Sequence, residues 1–116
     1  MGDDEPEEAP VPIVVVRYKT KPERADENQQ LIEKVFAELD AMGATGFGYA
    51  SLRLEDGVSF VHVAVEEDTA GSVSLADVPA FQAFTAGIAD RCDEPPVAMG
   101  ATLVGAHRLF GRDITS

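Results

Sequence analysis

The 116-residue sequence has no tryptophan, one cysteine and two histidines, and only 9 basic residues against 21 acidic ones. The shortage of positive charge argues against a surface for nucleic acid or for anionic membranes, because both require clustered Lys and Arg. Cys92 has no partner for an internal disulfide, and its separation from His62 and His107 gives no spacing typical of a zinc or iron–sulfur site. We therefore expect no metal, no cofactor and no nucleic-acid partner.

No uninterrupted apolar run approaches about 18 residues, and the first residues are acidic where a secretory signal peptide is basic. These features predict a cytoplasmic protein without a membrane span. Residues 1–12 contain five acids and three prolines, which predicts a disordered acidic tail. The length fits one domain, predicted over residues 13–111 and followed by a short tail at 112–116.

Hydrophobic patterning predicts the order βαββαβ. A β-branched run from Ile13 stops before Pro22, where a strand gives way to a helix with apolar residues at helical spacing. Asp56-Gly57 is a two-residue hairpin signal between two further strands, and Pro95-Pro96 is expected to end the second helix. The predicted strands cover 13–19, 47–56, 58–67 and 100–110, and the predicted helices cover 23–42 and 78–92.

This order is typical of the ferredoxin-like α+β fold, a four-stranded antiparallel sheet with two helices on one face. Alternation gives the first and third strands apolar residues on both faces, and the helices cover only one face. The sequence therefore predicts a homodimer in which the open faces pack together. The alternating sets are Val14, Val16 and Tyr18 against Ile13 and Val15, and Val61, Val63 and Val65 against Phe60 and Ala64.

Three segments carry a resemblance to a known family. VVVRYKTKPERADE, DGVSFVHVAVEED and LADVPAFQAFTAGIADRC, with a long helix after the first, resemble the antibiotic biosynthesis monooxygenase (ABM) superfamily of dimeric α+β barrel proteins. The likeness covers about residues 12–110. It implies the same fold and a range of activities, which includes cofactor-independent oxygenases of aromatic polyketides, haem-degrading enzymes and small-signal processing enzymes, beside members of no known activity.

The chain departs from that superfamily at the residues its oxygenases use. Those enzymes typically have a Trp after the third strand, an Asn on the first strand and often a His on the second helix. This sequence has no Trp, places Arg17, Tyr18 and Lys19 on the first strand, and has no His in the second helix. The oxygenase mechanism does not transfer residue by residue, so whether the protein is an enzyme stays open.

The catalytic candidates are His62, Arg17 and Arg53. An imidazole in an apolar strand can act as a general base toward an acidic phenol or enol, or can be a hydrogen-bonded core residue. Strand parity is expected to place both arginines on the sheet face that carries His62, where a guanidinium binds a carboxylate or stabilises an enolate. The alternative for the arginines is ion pairing between subunits with Glu55 or Glu66.

The ligand-binding candidates are Asn28, Tyr49, Phe36, Phe81 and Phe84. The amide of Asn28 is placed to bond a carbonyl at the inner edge of the first helix, or lies at its solvated boundary. The hydroxyl of Tyr49 orients a phenolic substrate or reaches the rim of the core. The phenylalanines line an apolar pocket for a flat ligand or fill the core.

Two function classes follow from these residues. The first is a cofactor-independent monooxygenase for a small apolar or aromatic molecule, in which His62 removes a proton and Arg17 or Arg53 stabilises the charge. It requires His62 and one of those arginines to reach the same cavity. The second is a non-catalytic small-molecule binding or assembly domain.

Overall fold

The computed structural model describes residues 13–44, 46–66 and 74–108. The predicted tails at 1–12 and 112–116 lie outside these residues. Short 3-10 turns at Pro22–Arg24 and Leu75–Asp77 precede the first and second helices. The strands are β1 (Ile13–Thr20), β2 (Phe47–Arg53), β3 (Ser59–Glu66) and β4 (Cys92–Ala101), and the helices are α1 (Ala25–Met42), α2 (Pro79–Ala86) and α3 (Ile88–Arg91).

The four strands form one antiparallel sheet in the order β2-β3-β1-β4. The connection through α1 passes over β3 on its way from β1 to β2, and the connection through α2 and α3 passes over β1. This is the ferredoxin-like arrangement that the sequence predicts, and the fold class is confirmed. None of the helices in the described ranges is long and apolar enough to cross a membrane.

Helix α1 fits the predicted pattern closely. Its buried residues are Ala25, Asn28, Ile32 and Val35, which follow one another at helical steps and form one stripe toward the sheet. The helix ends at Gly43, whose φ of 61° is a left-handed conformation that glycine adopts without strain. The predicted helix at 23–42 is thus confirmed as a 3-10 turn followed by an α-helix.

The core lies between the helices and one face of the sheet. Tyr18 and Phe60 stack there with their ring centroids 5.5 Å apart, and Phe84 from α2 packs against Tyr18 at 6.5 Å. Ile32 and Val35 close the core from the side of α1. The chemistry-bearing residues of this face therefore lie in a water-poor, aromatic environment.

The opposite face of the sheet carries apolar side chains that none of the described helices covers. Val97 and Met99 are 59% and 66% exposed on β4, and the central residues of β1 and β3 on this face are partly exposed. The predicted alternation is therefore correct for both central strands. Beside Arg17, the apolar residues on this open face include Ile13, Val15, Ala50, Leu52, Val61, Val63, Val65, Val97 and Met99.

The predicted last strand at 100–110 is wrong. Strand β4 begins at Cys92, directly after α3, and contains Pro95 and Pro96. Proline is tolerated on edge strands and at bulges, and the pairing of β1 with β4 shifts register between Arg17 and Lys19, opposite this dipeptide. Residues 102–108 consequently lie outside the sheet and are exposed.

Two smaller expectations also change. The predicted helix at 78–92 is divided into α2 and α3 at Gly87. The β2–β3 hairpin exists, but its loop is longer than two residues because the amide of Leu54 bonds the carbonyl of Ser59 at 2.8 Å. The carboxylate of Asp56 accepts hydrogen bonds from the backbone N–H groups of Val58 and Ser59 and so holds this longer turn.

Candidate functional site

His62 lies at the middle of β3 and points toward the helices. It pairs with Val16 of β1 and Ser51 of β2, and residues paired in this way share a sheet face. The side chain is 4% exposed. Its Nε2 lies 2.7 Å from the hydroxyl oxygen of Tyr18, and its Nδ1 lies 2.8 Å from the hydroxyl oxygens of both Tyr49 and Ser51. Both ring nitrogens therefore have hydrogen-bond partners inside the protein.

The hydrogen bonds continue from Tyr18 into the helices. The amide nitrogen of Asn28 donates to the Tyr18 hydroxyl at 2.8 Å, and Nε of Arg91 donates to the Asn28 amide oxygen at 3.0 Å. Arg91 also donates from Nη2 to the carbonyl of Phe84 at 2.6 Å. We call this continuous set the His62 chain. Its members are Tyr49, Ser51, His62, Tyr18, Asn28 and Arg91.

Burial sets the protonation state of the His62 chain. Desolvation lowers the pKa of His62 to about 4, raises the pKa of Tyr49 to about 12 and raises the pKa of Tyr18 well above its usual range. The imidazole and both phenols are therefore neutral at pH 7. Burial also lowers the pKa of Arg91, which nevertheless keeps its charge because a guanidinium stays protonated in proteins. Its charged end lies 5.4 Å from the centre of the Phe84 ring, a cation–π distance.

A cavity of about 270 Å³ lies between the sheet and the α2–α3 segment, beside His62. Its walls expose apolar atoms only, because the nitrogen and hydroxyl atoms near it are turned toward one another in the His62 chain. The cavity therefore offers shape and apolar contact to a ligand but no free polar group among the described residues. The lining includes Val16, Tyr49, His62, Ala64, Phe81 and Phe84.

The structure brings some of the predicted ligand-binding residues together and separates others. Tyr49, Phe81 and Phe84 reach the cavity beside His62. Phe36 stacks on the far side of Tyr49, at 5.2 Å between ring centroids, and lines a different groove of about 300 Å³. Asn28 is fully buried rather than at a solvated boundary, and its amide is occupied by Tyr18 and Arg91.

The expected placement of Arg17 beside His62 is wrong. Arg17 pairs with Val61 whereas Val16 pairs with His62, so alternation along β1 sends Arg17 to the open face. Arg53 does lie on the His62 face, but it donates to Asp26 at 3.2 Å and to Gln29 at 2.7 Å and lines the Phe36 groove.

Neither predicted arginine therefore shares a cavity with His62. The intersubunit ion pair with Glu55 or Glu66 stays a prediction. Within the chain Arg53 pairs with an acid of α1, Asp26. The shared cavity that the catalytic roles of Arg17 and Arg53 require is thus not formed by the described residues of one chain, and the catalytic role of His62 stays a prediction.

Sequence reasoning missed Ser51 and Arg91. Ser51 could have been found, because it shares strand parity with Tyr49, which was singled out. Arg91 gives no such sign: a charged residue at the end of a short helix is ordinarily solvated, and here it is 2% exposed. No group of three or more metal-ligating side chains occurs within 13–44, 46–66 and 74–108.

No protein-family model matches the chain, and no curated protein shows significant similarity to it. Solved structures do match its fold. A candidate antibiotic biosynthesis monooxygenase from Bacteroides thetaiotaomicron aligns with a TM-score of 0.69 over 83% of this chain and 91% of that one, at 15% identity. Another from Nitrosomonas europaea aligns with a TM-score of 0.66 over 86% and 96%, at 11% identity.

A protein of unknown function from Nitrosomonas europaea is similar to the same degree. It aligns with a TM-score of 0.63 over 84% of this chain and 93% of that one, at 18% identity. At these identities the matches show the fold and not the chemistry. The chain has the fold of the ABM superfamily, and the resemblance drawn from the sequence is confirmed at that level.

The buried, neutral His62 predicts a specific acid dependence of stability. Its pKa is about 4 in the folded protein and about 6.5 in an unfolded chain, so the unfolded state binds the proton first as the pH falls. The contribution of neutral His62 to the free energy of unfolding is complete above about pH 6.5. It is lost progressively toward pH 4, with a total of about 3 kcal/mol. Denaturant unfolding between pH 4 and pH 7 measures it.

A His62→Gln variant should lose this part of the pH profile, whatever its absolute stability. His107→Gln is the matched control, since His107 is exposed, and should leave the profile unchanged. An unaltered profile in His62→Gln would show that His62 titrates normally in the folded protein.

Proposed function

We propose that the protein is a homodimer that binds a small apolar or aromatic molecule in the cavity beside His62. The observation that carries this proposal is a cavity of about 270 Å³ whose walls expose apolar atoms only. A cavity of about 150 Å³ with such walls accepts benzene, so this one suits a molecule of about two fused rings. A charged ligand would lose its hydration here without gaining a hydrogen-bond partner.

The open face of the sheet supports the homodimer. Its apolar side chains form a continuous surface across β2, β3, β1 and β4, and such patches on a stable monomer are small. A second copy of the chain presents the same surface, which makes a two-fold, self-complementary contact available. The face also carries Arg17, which is exposed between Val61 and Val97, so the proposed interface requires an acid of the partner to pair with it.

A cofactor-independent monooxygenase is the second candidate. His62 favours it, because its ring lines the same cavity and is unprotonated at pH 7. In such a reaction a substrate methylene and O₂ give a carbonyl and water, and the substrate carbon supplies all four electrons that reduce O₂ after it loses a proton to a base. The hydroxyls of Tyr18 and Tyr49, rather than the two arginines, are the groups next to His62 that can stabilise the developing anion.

Binding ranks before catalysis for a physical reason. A base with a pKa of about 4 removes a proton weakly at pH 7, and both nitrogens of His62 already have partners. Catalysis therefore requires the ligand to displace one of those partners. Binding of an apolar ligand requires no such rearrangement.

The homodimer predicts a sharp effect of charge on the open face. Wild-type protein should sediment at twice the 12.4 kDa mass of the chain. Met99→Glu should sediment as a single subunit, because it places a carboxylate in the proposed interface, and should still fold because this side chain is 66% exposed in one chain. Met42→Glu, the same change at an exposed site on α1, should leave the dimer intact. A wild-type monomer at micromolar concentration, or a dimeric Met99→Glu, would contradict the interface.

The cavity predicts selective stabilisation by apolar ligands. Toluene or naphthalene should raise the melting temperature, and a concentration of 100 times Kd adds about 2.7 kcal/mol of stability. Benzoate should have no such effect, since its carboxylate has no partner there. Ala64→Leu should abolish the response by filling the cavity, whereas Ala83→Leu, at an exposed position of α2, should retain it. Equal responses of the two variants would place the ligand elsewhere.

The monooxygenase candidate predicts oxygen uptake with an electron-rich hydroxynaphthalene. The uptake should fall at least tenfold in His62→Gln and stay unchanged in His107→Gln, because only the first lines the cavity. An oxygen electrode with metal-free buffer measures it. Uptake that is equal in all three proteins would be the spontaneous reaction and would leave binding as the function.

A further inference from the structure

The His62 chain contains a group that can only donate hydrogen bonds. A guanidinium has five N–H donors and no acceptor, so Arg91 fixes the direction of the bond it makes. Its Nε lies 3.0 Å from the amide oxygen of Asn28, which is therefore the acceptor. A flipped amide would set an NH₂ group against an N–H donor. Arg91 thus turns the amide nitrogen of Asn28 toward Tyr18.

The orientation of the Asn28 amide also fixes which atoms donate in the hydrogen bonds from Asn28 through Tyr18 to His62. The amide nitrogen of Asn28 donates to the Tyr18 oxygen at 2.8 Å, so that hydroxyl must direct its own proton elsewhere. Within the described residues the acceptor at hydrogen-bond distance is Nε2 of His62, at 2.7 Å. Nε2 therefore carries the lone pair. The neutral ring then has its proton on Nδ1, which donates toward the oxygens of Ser51 and Tyr49.

We propose that Arg91 and Asn28 are positioning residues that hold His62 in the tautomer with the proton on Nδ1 and the lone pair on Nε2. The two residues lie on α3 and α1 and act on His62 of β3 through the Tyr18 hydroxyl of β1. Burial enforces the arrangement, since Asn28 is 0% and Arg91 2% exposed and a reversed amide would leave buried polar groups unpaired. A buried guanidinium is costly, and an apolar side chain would fill the same space.

The consequence for catalysis rests on the second candidate function. The lone pair that accepts a proton points at Tyr18, so a ligand reaches this base only by displacing the Tyr18 hydroxyl from Nε2. The tautomer itself can be measured without any ligand. A failure of the tautomer assignment is therefore distinguishable from a failure of the proposed function.

The experiment is nitrogen-15 NMR of imidazole-labelled, full-length protein at pH 7. His62 should show a protonated Nδ1 and an unprotonated Nε2, and a His107→Gln variant assigns its signals by removing those of the other histidine. The proposal is overturned if wild-type His62 carries its proton on Nε2 or exchanges between both forms.

Two variants test the positioning residues. Asn28→Asp should invert the tautomer, because a carboxylate accepts from both Arg91 and Tyr18, and the Tyr18 oxygen then accepts from a protonated Nε2. Gln30→Glu, the same amide-to-acid change at an exposed position of α1, should leave His62 unchanged. An Asn28→Asp spectrum with the proton still on Nδ1 overturns the proposal.

Arg91→Met tests whether Arg91 sets the orientation of the Asn28 amide, because methionine has a similar volume but no hydrogen-bond donor. Without its donor the amide of Asn28 can take either orientation, so both tautomers of His62 should appear. If Arg91 had a purely structural role, the substitution would lower stability without changing the tautomer of His62. A single unaltered tautomer in this variant overturns the part assigned to Arg91. The wild-type spectrum tests the assignment even if a variant fails to fold.

Discussion

An imidazole buried beneath helices must have both of its nitrogens hydrogen-bonded, and the arrangement of this protein depends on that requirement. His62 meets it with hydroxyls from β1 on one side and β2 on the other. The three strands can supply those hydroxyls only in the observed register, because a shift by one residue would turn Tyr18 or Tyr49 to the open face. The hydrogen bonds of His62 thus link the pairing of the strands to the packing of the helices.

The same requirement divides the interior into a polar and an apolar part. Polar atoms are joined in the His62 chain, from the hydroxyls of β2 to the guanidinium of Arg91 in α3. The neighbouring space is left with rings and aliphatic groups as its walls. A ligand in that space meets the faces of Tyr49 and His62 rather than their polar atoms. This separation favours recognition by shape, and it makes any chemistry depend on opening a hydrogen bond.

The elements that follow from local pattern were predictable, and those that depend on pairing were not. Apolar spacing placed α1 within two residues, and alternation assigned His62 to a face with Phe60 and Ala64. Alternation orders residues within one strand but does not say which residue of the next strand lies opposite. That choice is made by register, and it sends Arg17 away from His62.

Tertiary context also decided the two features with the weakest local signs. The prolines of β4 disfavour a strand by themselves, and only an edge position with a register shift admits them. The burial of Arg91 depends on Asn28 and the carbonyl of Phe84, which are distant partners or backbone atoms. Hydropathy at a single position contains neither kind of information. The position of β4 and the burial of Arg91 were therefore the features hardest to predict.

The adjacent prolines of β4 have a consequence for growth of the sheet. Strand β4 forms one border of the sheet, and Pro95 and Pro96 have no backbone N–H to offer a further strand. Backbone N–H groups alternate between the two sides of a strand, so an incoming chain would meet one missing donor at this dipeptide, which discourages edge-to-edge polymerisation. Lateral addition of further copies along that border is thereby disfavoured, while the broad apolar face stays available to a single partner.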